Sequence, residues 1–364
     1  MAALHFQVHE DPTLEAIDAE IERRGNSRPH SHSVGMSTVG DACLRRLWYA
    51  FRWCTPRRFN ADTLKLFEDG HQGEKQMAER LRQVPALKLH THDPATGQQY
   101  ESLDHGGHLR GFMDGAIWGL HKAPKTWHVW EHKQTAETKF NALVKLITER
   151  GEKAALEKWN FKYWVQAQLY MWYEGLTRHY MTVSTRGGCR TVSLRTNAQK
   201  KKAKVQVKRA LEVIMAERPL ERLSDKPSYF ECKWCDHQAT CHGQAVPAPS
   251  CRTCIYATPE LDGVRRWSCQ HHGIDLDLAA QAQGCSDHRF IPDLIPYAEP
   301  ADASTTENWI QYRTTAGTVF YNGEKGPMSF TSEELHHAAV AMIGDPGVET
   351  LRARLDASFV SQKI

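Results

Sequence analysis

Apolar residues recur at helical spacing in some stretches of the chain and alternate in others, so both periods are present and neither dominates. Leu14 to Arg24 reads as a short helix, followed by the polar, aperiodic run Asn26 to Ser33. Helical spacing returns over Ala42 to Phe51 and over Glu74 to Val84, where Glu74, Met77 and Leu81 lie on one stripe headed by a glutamate. His108 to Leu120 (HLRGFMDGAIWGL) reads as a strand with a turn, and Trp127 to Gln134 (WHVWEHKQ) as a second strand. Further on, Trp159, Tyr163, Gln166 and Tyr170 share a helical stripe beside the apolar Val165, Leu169 and Trp172. In the tail, Trp309 to Arg313 and Thr318 to Asn322 alternate like paired strands. Thr331 and Glu334 then form a capping-box signal before a helix containing Leu335, Val340 and Ile343. The Pro-rich VPAPS at Val246 to Ser250 predicts a linker, and Ile291 to Ser304, with prolines at 292, 296 and 300, predicts a connector. The expected units are therefore a lead-in over 1–35, an α/β domain over 36–247, a cysteine-rich module over 248–297 and a small α+β unit over 298–364. No internal repeat is visible.

Composition narrows the class. With 364 residues, 41% of them hydrophobic, the chain can bury a full core, and a small disulfide-stapled scaffold is excluded. No apolar run approaches the ~18 residues of a membrane span, and the N-terminus lacks a secretory pattern, so a cytoplasmic protein without membrane contact is expected. Net charge is only +3, so a nucleic-acid surface has to come from local clustering. Ten cysteines in a reducing compartment point to metal ligation rather than disulfides.

The two predicted strands carry acids where strands usually carry apolar residues. Glu131 and Lys133 are two apart and project from one face, while His132 projects from the other, and Asp114 lies on the preceding strand. Carboxylates from adjacent strands make a hard-oxygen site suited to magnesium or manganese, and a lysine beside them can position or deprotonate a water attacking a phosphate. An isolated E-x-K is most often a surface ion pair. Glu74, with His71 one turn before it, heads an inward-facing stripe, and a core-facing carboxylate needs a partner or a metal unless it merely begins a helix. Gln166 inside an aromatic stripe is likewise not a residue a core selects.

Taken in order, the G-x3-E of Gly70 to Glu74, the G-x2-D-G of Gly111 to Gly115, the E-H-K of Glu131 to Lys133 and the Q-x3-Y of Gln166 to Tyr170 resemble the motifs of the PD-(D/E)XK nuclease superfamily, in its RecB-like exonuclease branch. The resemblance covers roughly residues 36–243. It implies a restriction-endonuclease-like core, a central mixed sheet flanked by helices. It also implies that Asp114 and Glu131 bind Mg2+ or Mn2+, that Lys133 acts at the attacking water, and that the carbonyl of His132 completes the metal shell. Gln166 and Tyr170 would orient the lysine or DNA. Many members have histidine where this chain has Glu74. Glu74 is ranked ahead of His71 as the remaining ligand because it holds the expected spacing.

Cys232, Cys235 and Cys241 form C-x2-C-x5-C and need a fourth ligand, for which Cys43 is the candidate and Cys54 the reserve. Sulfur ligation alone leaves zinc and iron–sulfur both open. The early CLRRLWY with the late cysteine trio is similar to AddB-type and CRISPR-associated RecB-like nucleases, and implies that Cys43, Cys232, Cys235 and Cys241 hold a 4Fe-4S cluster. Cys251, Cys254, Cys269 and Cys285 form a second group for which zinc is the first expectation, with His271 or His272 able to replace one cysteine. Cys189 is expected to have no metal role. Lys200, Lys201, Lys202, Lys204 and Lys208, with Arg209, crowd a predicted helix whose other face carries Ala203, Val207, Ala210 and Ile214. That helix is either a solvated face or a DNA-backbone surface.

The leading expectation is a metal-dependent DNA exonuclease in recombination, repair or phage DNA processing, with DNA ends as substrate and recombination or repair proteins as partners. The alternatives are a CRISPR-adaptation nuclease, a non-catalytic DNA-binding or assembly protein that keeps the fold, and a protein whose second cysteine module carries the main function.

Overall fold

The computed structural model describes residues 11–243, 245–338 and 340–359. The first ten residues of the expected lead-in and the last five of the C-terminal unit lie outside this set. In chain order the elements begin with α1 (Pro12–Asn26), β1 (Val34–Gly35), α2 (Leu44–Phe51), α3 (Ala61–Arg82), β2 (Lys88–His90), β3 (Glu101–Asp104), β4 (Leu109–Phe112), β5 (Gly115–Trp118) and β6 (His128–Thr135). Three helices follow, α4 (Glu137–Arg150), α5 (Glu152–Trp159) and α6 (Phe161–Tyr173), then β7 (Arg178–Thr185), β8 (Thr191–Asn197) and α7 (Lys200–Met215). Two single turns, α8 (Phe230–Lys233) and α9 (Gln238–Cys241), carry the first cysteine group. The remainder is β9 (Ala257–Pro259), β10 (Trp267–Cys269), β11 (Ile274–Asp275), α10 (Leu278–Ala282), β12 (Ala298–Ser304), β13 (Trp309–Thr314), β14 (Val319–Asn322), β15 (Ser329–Phe330), α11 (Ser332–His337) and α12 (Pro346–Leu355). Among the described residues no helix is long and apolar enough to cross a membrane.

The protein is a mixed α/β structure with several mixed sheets flanked by helices. Its central sheet has the order β2-β5-β6-β7-β8, antiparallel except for the parallel pair β6 and β7. A parallel pair cannot be joined by a tight turn; here the crossover is the three helices α4 to α6. A second sheet, β1-β4-β3, adjoins the first because β4 runs into β5 through Met113 and Asp114. The strand with a turn expected over His108 to Leu120 is two strands in two sheets, and the acid sits at the break between them.

Helix α3 begins at Ala61, thirteen residues before the expected start at Glu74. Asn60 caps it, its side chain accepting from Thr63 N at 3.0 Å. Gly70 and Gly73 interrupt the apolar stripe and hide this first half from a periodicity reading. At Gly73 a Cβ would lie 2.0 Å from Gln134 Nε2, so the missing side chain lets α3 lie close against β6. The aromatic stripe is split by Asn160, which ends α5 and caps α6 by accepting from Tyr163 N at 3.2 Å.

The connector expected over Ile291 to Ser304 is a connector only in its first half. Ala298–Ser304 is an exposed edge strand, β12, paired with β13, and the ladder shifts register between Pro300 and Asp302. An edge bulge is where a strand tolerates proline, because no inward N–H is lost. The capping box at Thr331 and Glu334 is present, but its helix stops at His337, and Val340–Met342 is a separate 3-10 turn.

The hydrophobic core runs without interruption from Trp48, Trp164 and Val183 in the α/β region to Trp267 and Phe290 in the cysteine-rich module and Tyr312 and Phe320 in the tail. Arg252, fully buried between two cysteines, donates to Phe51 O at 2.8 Å and lies 4.0 Å over the Trp53 ring and 4.4 Å over that of Trp267. Arg52, from the other side, donates to Ala257 O at 3.0 Å. Two buried guanidinium groups thus meet carbonyls and aromatic faces instead of acids, and burial lowers the pKa of both.

Candidate active site and metal-ligating clusters

The pairing of β5 with β6 ends at Gly115 and Trp130. Just past that point the Asp114 carboxylate takes the N–H of His132 at 3.0 Å, standing in for the strand that has turned away. Asp114 is thereby anchored through Oδ2 at the mouth of the gap between the two sheets. Gly111 and Gly115 bracket it for steric reasons: a Cβ at Gly111 would lie 2.6 Å from both Met36 Sδ and Tyr170 Cε1, and one at Gly115 would lie 2.7 Å from His90 O.

Strand alternation sends Glu131 and Lys133 into the cleft and His132 to the opposite face. There His132 Nδ1 meets Thr182 Oγ1 at 3.0 Å and Nε2 meets Ser184 Oγ at 3.2 Å. Its imidazole is therefore engaged away from the acids, and only its main chain faces them. Burial and the neighbouring Lys133 hold that ring's pKa down at about 4. Glu131 is 2% exposed. Its Oε1 accepts from Lys133 Nζ and from Gln166 Nε2 at 2.9 Å, while Oε2 has no protein partner. Gln166 Nε2 is also 3.3 Å from Tyr170 OH, and that hydroxyl donates to Phe112 O at 2.7 Å. One turn of α6 thus ties the acid on β6 to the end of β4.

Burial, reinforced by Asp114 and opposed by Lys133, pushes Glu131 up to about 8; burial and Asp114 push Glu74 up to about 7. Burial works against the charge on Lys133, but Glu131 and Asp114, the latter 4.0 Å away, outweigh it and raise that pKa.

Two carboxylates driven toward protonation, and a buried carboxylate oxygen with no partner, fit a divalent cation at this point. Asp114 and Glu131 are the residues that would hold it. Among the described residues, the only three metal-ligating side chains whose donor atoms all lie within 4.8 Å of one another are His271, His272 and Asp287. Glu74, Asp114 and Glu131 thus line one cleft without all three meeting that closely, and His71, exposed on α3, lines the same cleft.

The cleft has a volume of about 800 Å³, and its walls include Glu74, Asp114, Glu131, Lys133, Gln166 and Tyr170. The structure brings together the whole acid, lysine and glutamine set on which the sequence reading rested. Its rim cations are Arg28, Arg57 and Arg110, which that reading did not single out. They come from aperiodic loops and a short strand, where one sequence carries no directional signal. The lysines at 200, 201, 202, 204 and 208 are exposed on α7, as expected, but none lines this cleft. Lys202 pairs with Glu157 at 2.7 Å and sits over the Trp164 ring, and Arg209 is turned inward onto the Asp41 carbonyl.

Both cysteine groups converge. Cys43, Cys232, Cys235 and Cys241 line one cavity between the N-terminus of α2 and the two turns α8 and α9, while Cys54 is buried elsewhere in the core. Cys251, Cys254, Cys269 and Cys285 line another, of about 220 Å³, together with His271, His272 and Asp287. In neither group do three sulfurs come within 4.8 Å of one another. Cys189 is exposed and lines neither cavity.

No family model and no curated protein sequence matches the chain. Solved structures with a similar arrangement of elements include SSO0001, at 14% identity and a TM-score of 0.38, aligned over 64% of this chain and 98% of the other. An alkaline exonuclease from Laribacter hongkongensis, LHK-Exo, aligns at 12% identity and a TM-score of 0.35 over 54% of this chain and 90% of its own. A phage-related exonuclease from Haemophilus somnus 129PT aligns at 11% identity and a TM-score of 0.34, over 52% and 94%.

Proposed function

We propose that the chain is a Mg2+- or Mn2+-dependent deoxyribonuclease that works as an exonuclease on linear DNA in recombination, repair or phage DNA processing. The observation that carries this reading is the convergence of Asp114, Glu131 and Lys133 in one open cleft, with an unpartnered Glu131 oxygen among them. A divalent ion bound there supplies a water activated near neutral pH and neutralises charge on the phosphate. Asp114 and Glu131 would hold that ion, with Glu74 as the remaining carboxylate of the cleft. Lys133 donates to the attacking water or to a phosphate oxygen and remains cationic throughout. Gln166 and Tyr170 fix the rotamer of Glu131, a positioning role whose loss in metal sites typically costs about 10- to 100-fold in affinity or activity. Arg28, Arg57 and Arg110 contact the sugar–phosphate backbone without reading sequence. Cys43, Cys232, Cys235 and Cys241 hold a 4Fe-4S cluster that staples the two ends of the nuclease region together.

The test compares the anaerobically purified protein and its Lys133→Ala variant on end-labelled linear DNA and on closed circles, with Mg2+, with Mn2+ and with chelator. The expected result is metal-dependent degradation of linear DNA, intact circles, and a variant at least a hundredfold slower. Cleaved circles would make it an endonuclease with the same site. DNA binding without cleavage under every metal would replace the enzyme by a scaffold that keeps the fold.

A further inference from the structure

The second cysteine group lies outside the cleft and has no part in the reaction just described. Its thiols come from four separate places: Cys251 at the start of a 3-10 turn, Cys254 directly after it, Cys269 at the end of β10 and Cys285 in the loop beyond α10. They face one cavity of about 220 Å³. Tetrahedral zinc with sulfur at about 2.3 Å brings its ligands to about 3.8 Å from one another, and no three of these sulfurs meet within even 4.8 Å. A single ion would reach the four thiols only if their side chains and the surrounding backbone moved inward from these positions. That backbone is held by Cys254 pairing with Phe290, by β9 pairing with β10, and by buried Arg252 and Trp267.

We propose that Cys251, Cys254, Cys269 and Cys285 ligate an iron–sulfur cluster, in place of the zinc that the cysteine spacing alone suggests. The four thiols surrender their protons on ligation. The cluster clamps the 3-10 turn bearing Arg252 against Phe51 and Trp53, and so holds the module on the nuclease region. His271, His272 and Asp287 form a partly exposed cluster on the wall of the same cavity: His272 Nε2 lies 3.5 Å from Asp287 Oδ2 and 3.7 Å from Cys285 Sγ. A mononuclear site built on them would leave Cys251, Cys254 and Cys269 without a role.

The proposal is read out by metal content, so it stands or falls separately from nuclease activity. Iron, acid-labile sulfide and zinc are measured per chain on the anaerobically purified full-length protein, on Cys269→Ser/Cys285→Ser and on Cys232→Ser/Cys235→Ser. The expected result is a loss of about two or four irons with matching sulfide in the first variant, and retained iron with visible charge-transfer absorption in the second. Unchanged iron in the first variant would overturn it. Should that variant fail to fold, X-ray absorption at the zinc edge of the unmodified chain decides. About one zinc per chain in a sulfur or sulfur–histidine shell refutes the cluster, and zinc at trace level with iron in excess of about four per chain upholds it.

Discussion

At the scale of single residues, what distinguishes this cleft is that its acids are uncomfortable without a cation. Glu74 is raised from an ordinary carboxylate value to about 7 by burial and by Asp114. A carboxyl group whose folded pKa lies above its unfolded one binds more protons when folded, so it lowers stability as pH rises between the two values. The chelated protein should therefore lose thermal stability between about pH 5 and pH 8, and Glu74→Gln should flatten that loss. At pH 8 the variant should melt several degrees above the parent, the gap should close toward pH 5, and Mg2+ should restore the parent at pH 8. Parallel melting-temperature profiles for the two proteins in chelator would refute the assignment. Gln166 shows how much of such a site a single sequence reveals. Its polarity within an aromatic stripe marked it as unusual, yet only the structure shows its amide divided between Glu131 and Tyr170.

Among the secondary-structure elements, the site exists because two strands part. β4 and β5 are consecutive but belong to different sheets, and Asp114 occupies the break. The close approach of α6 to that break depends on Gly111, where an added Cβ would lie 2.6 Å from the Tyr170 ring and from Met36 Sδ. The ring cannot yield without disturbing the Tyr170 bond to Phe112 O. Gly111→Ala should cost about 1–3 kcal/mol in urea denaturation and lower cleavage along with it. A variant as stable and as active as the parent would show that α6 can shift freely. The glycines of α3 tell the same story from the other side. Gly73 makes room for Gln134, and in doing so it breaks the apolar stripe that would have announced the first half of the helix.

Across the whole molecule, the cysteine-rich module is continuous with the α/β region that carries the cleft. Arg252 reaches back to Phe51 and Trp53, Arg52 reaches forward to Ala257, and His108 Nε2 contacts the carbonyls of Glu260 and Arg266 at 3.0 and 3.1 Å. The proline-rich segment at the boundary expected near residue 248 is itself largely buried, and its Val246 belongs to the core that both regions share. Calorimetry of the metal-loaded protein should accordingly show one cooperative transition for both regions. A chain ending at 247 should not yield a folded nuclease, because it exposes Phe51, Trp53 and the unpaired guanidinium of Arg52. Two well-separated transitions, or a soluble, active fragment ending at 247, would show the regions to be independent.

The sequence by itself determined the chemistry on offer. Acid and lysine two apart on a strand must share a face, because strand side chains alternate, and cysteines in close spacing must converge somewhere if they are to be of use. It also determined the elements with an unbroken period, such as α2, β6, α6, α7, β13 and β14, since helical and strand periods are local properties of the chain. What it left open was whatever depends on contacts between distant segments. The length of α3, the splitting of the Asp114 strand between two sheets, the cleft arginines and the wide spacing of the thiols belong to that class, as does the single core joining regions that a linker seemed to divide. A side chain's neighbours across a fold are set by packing and backbone approach, and those are decided only when the segments meet.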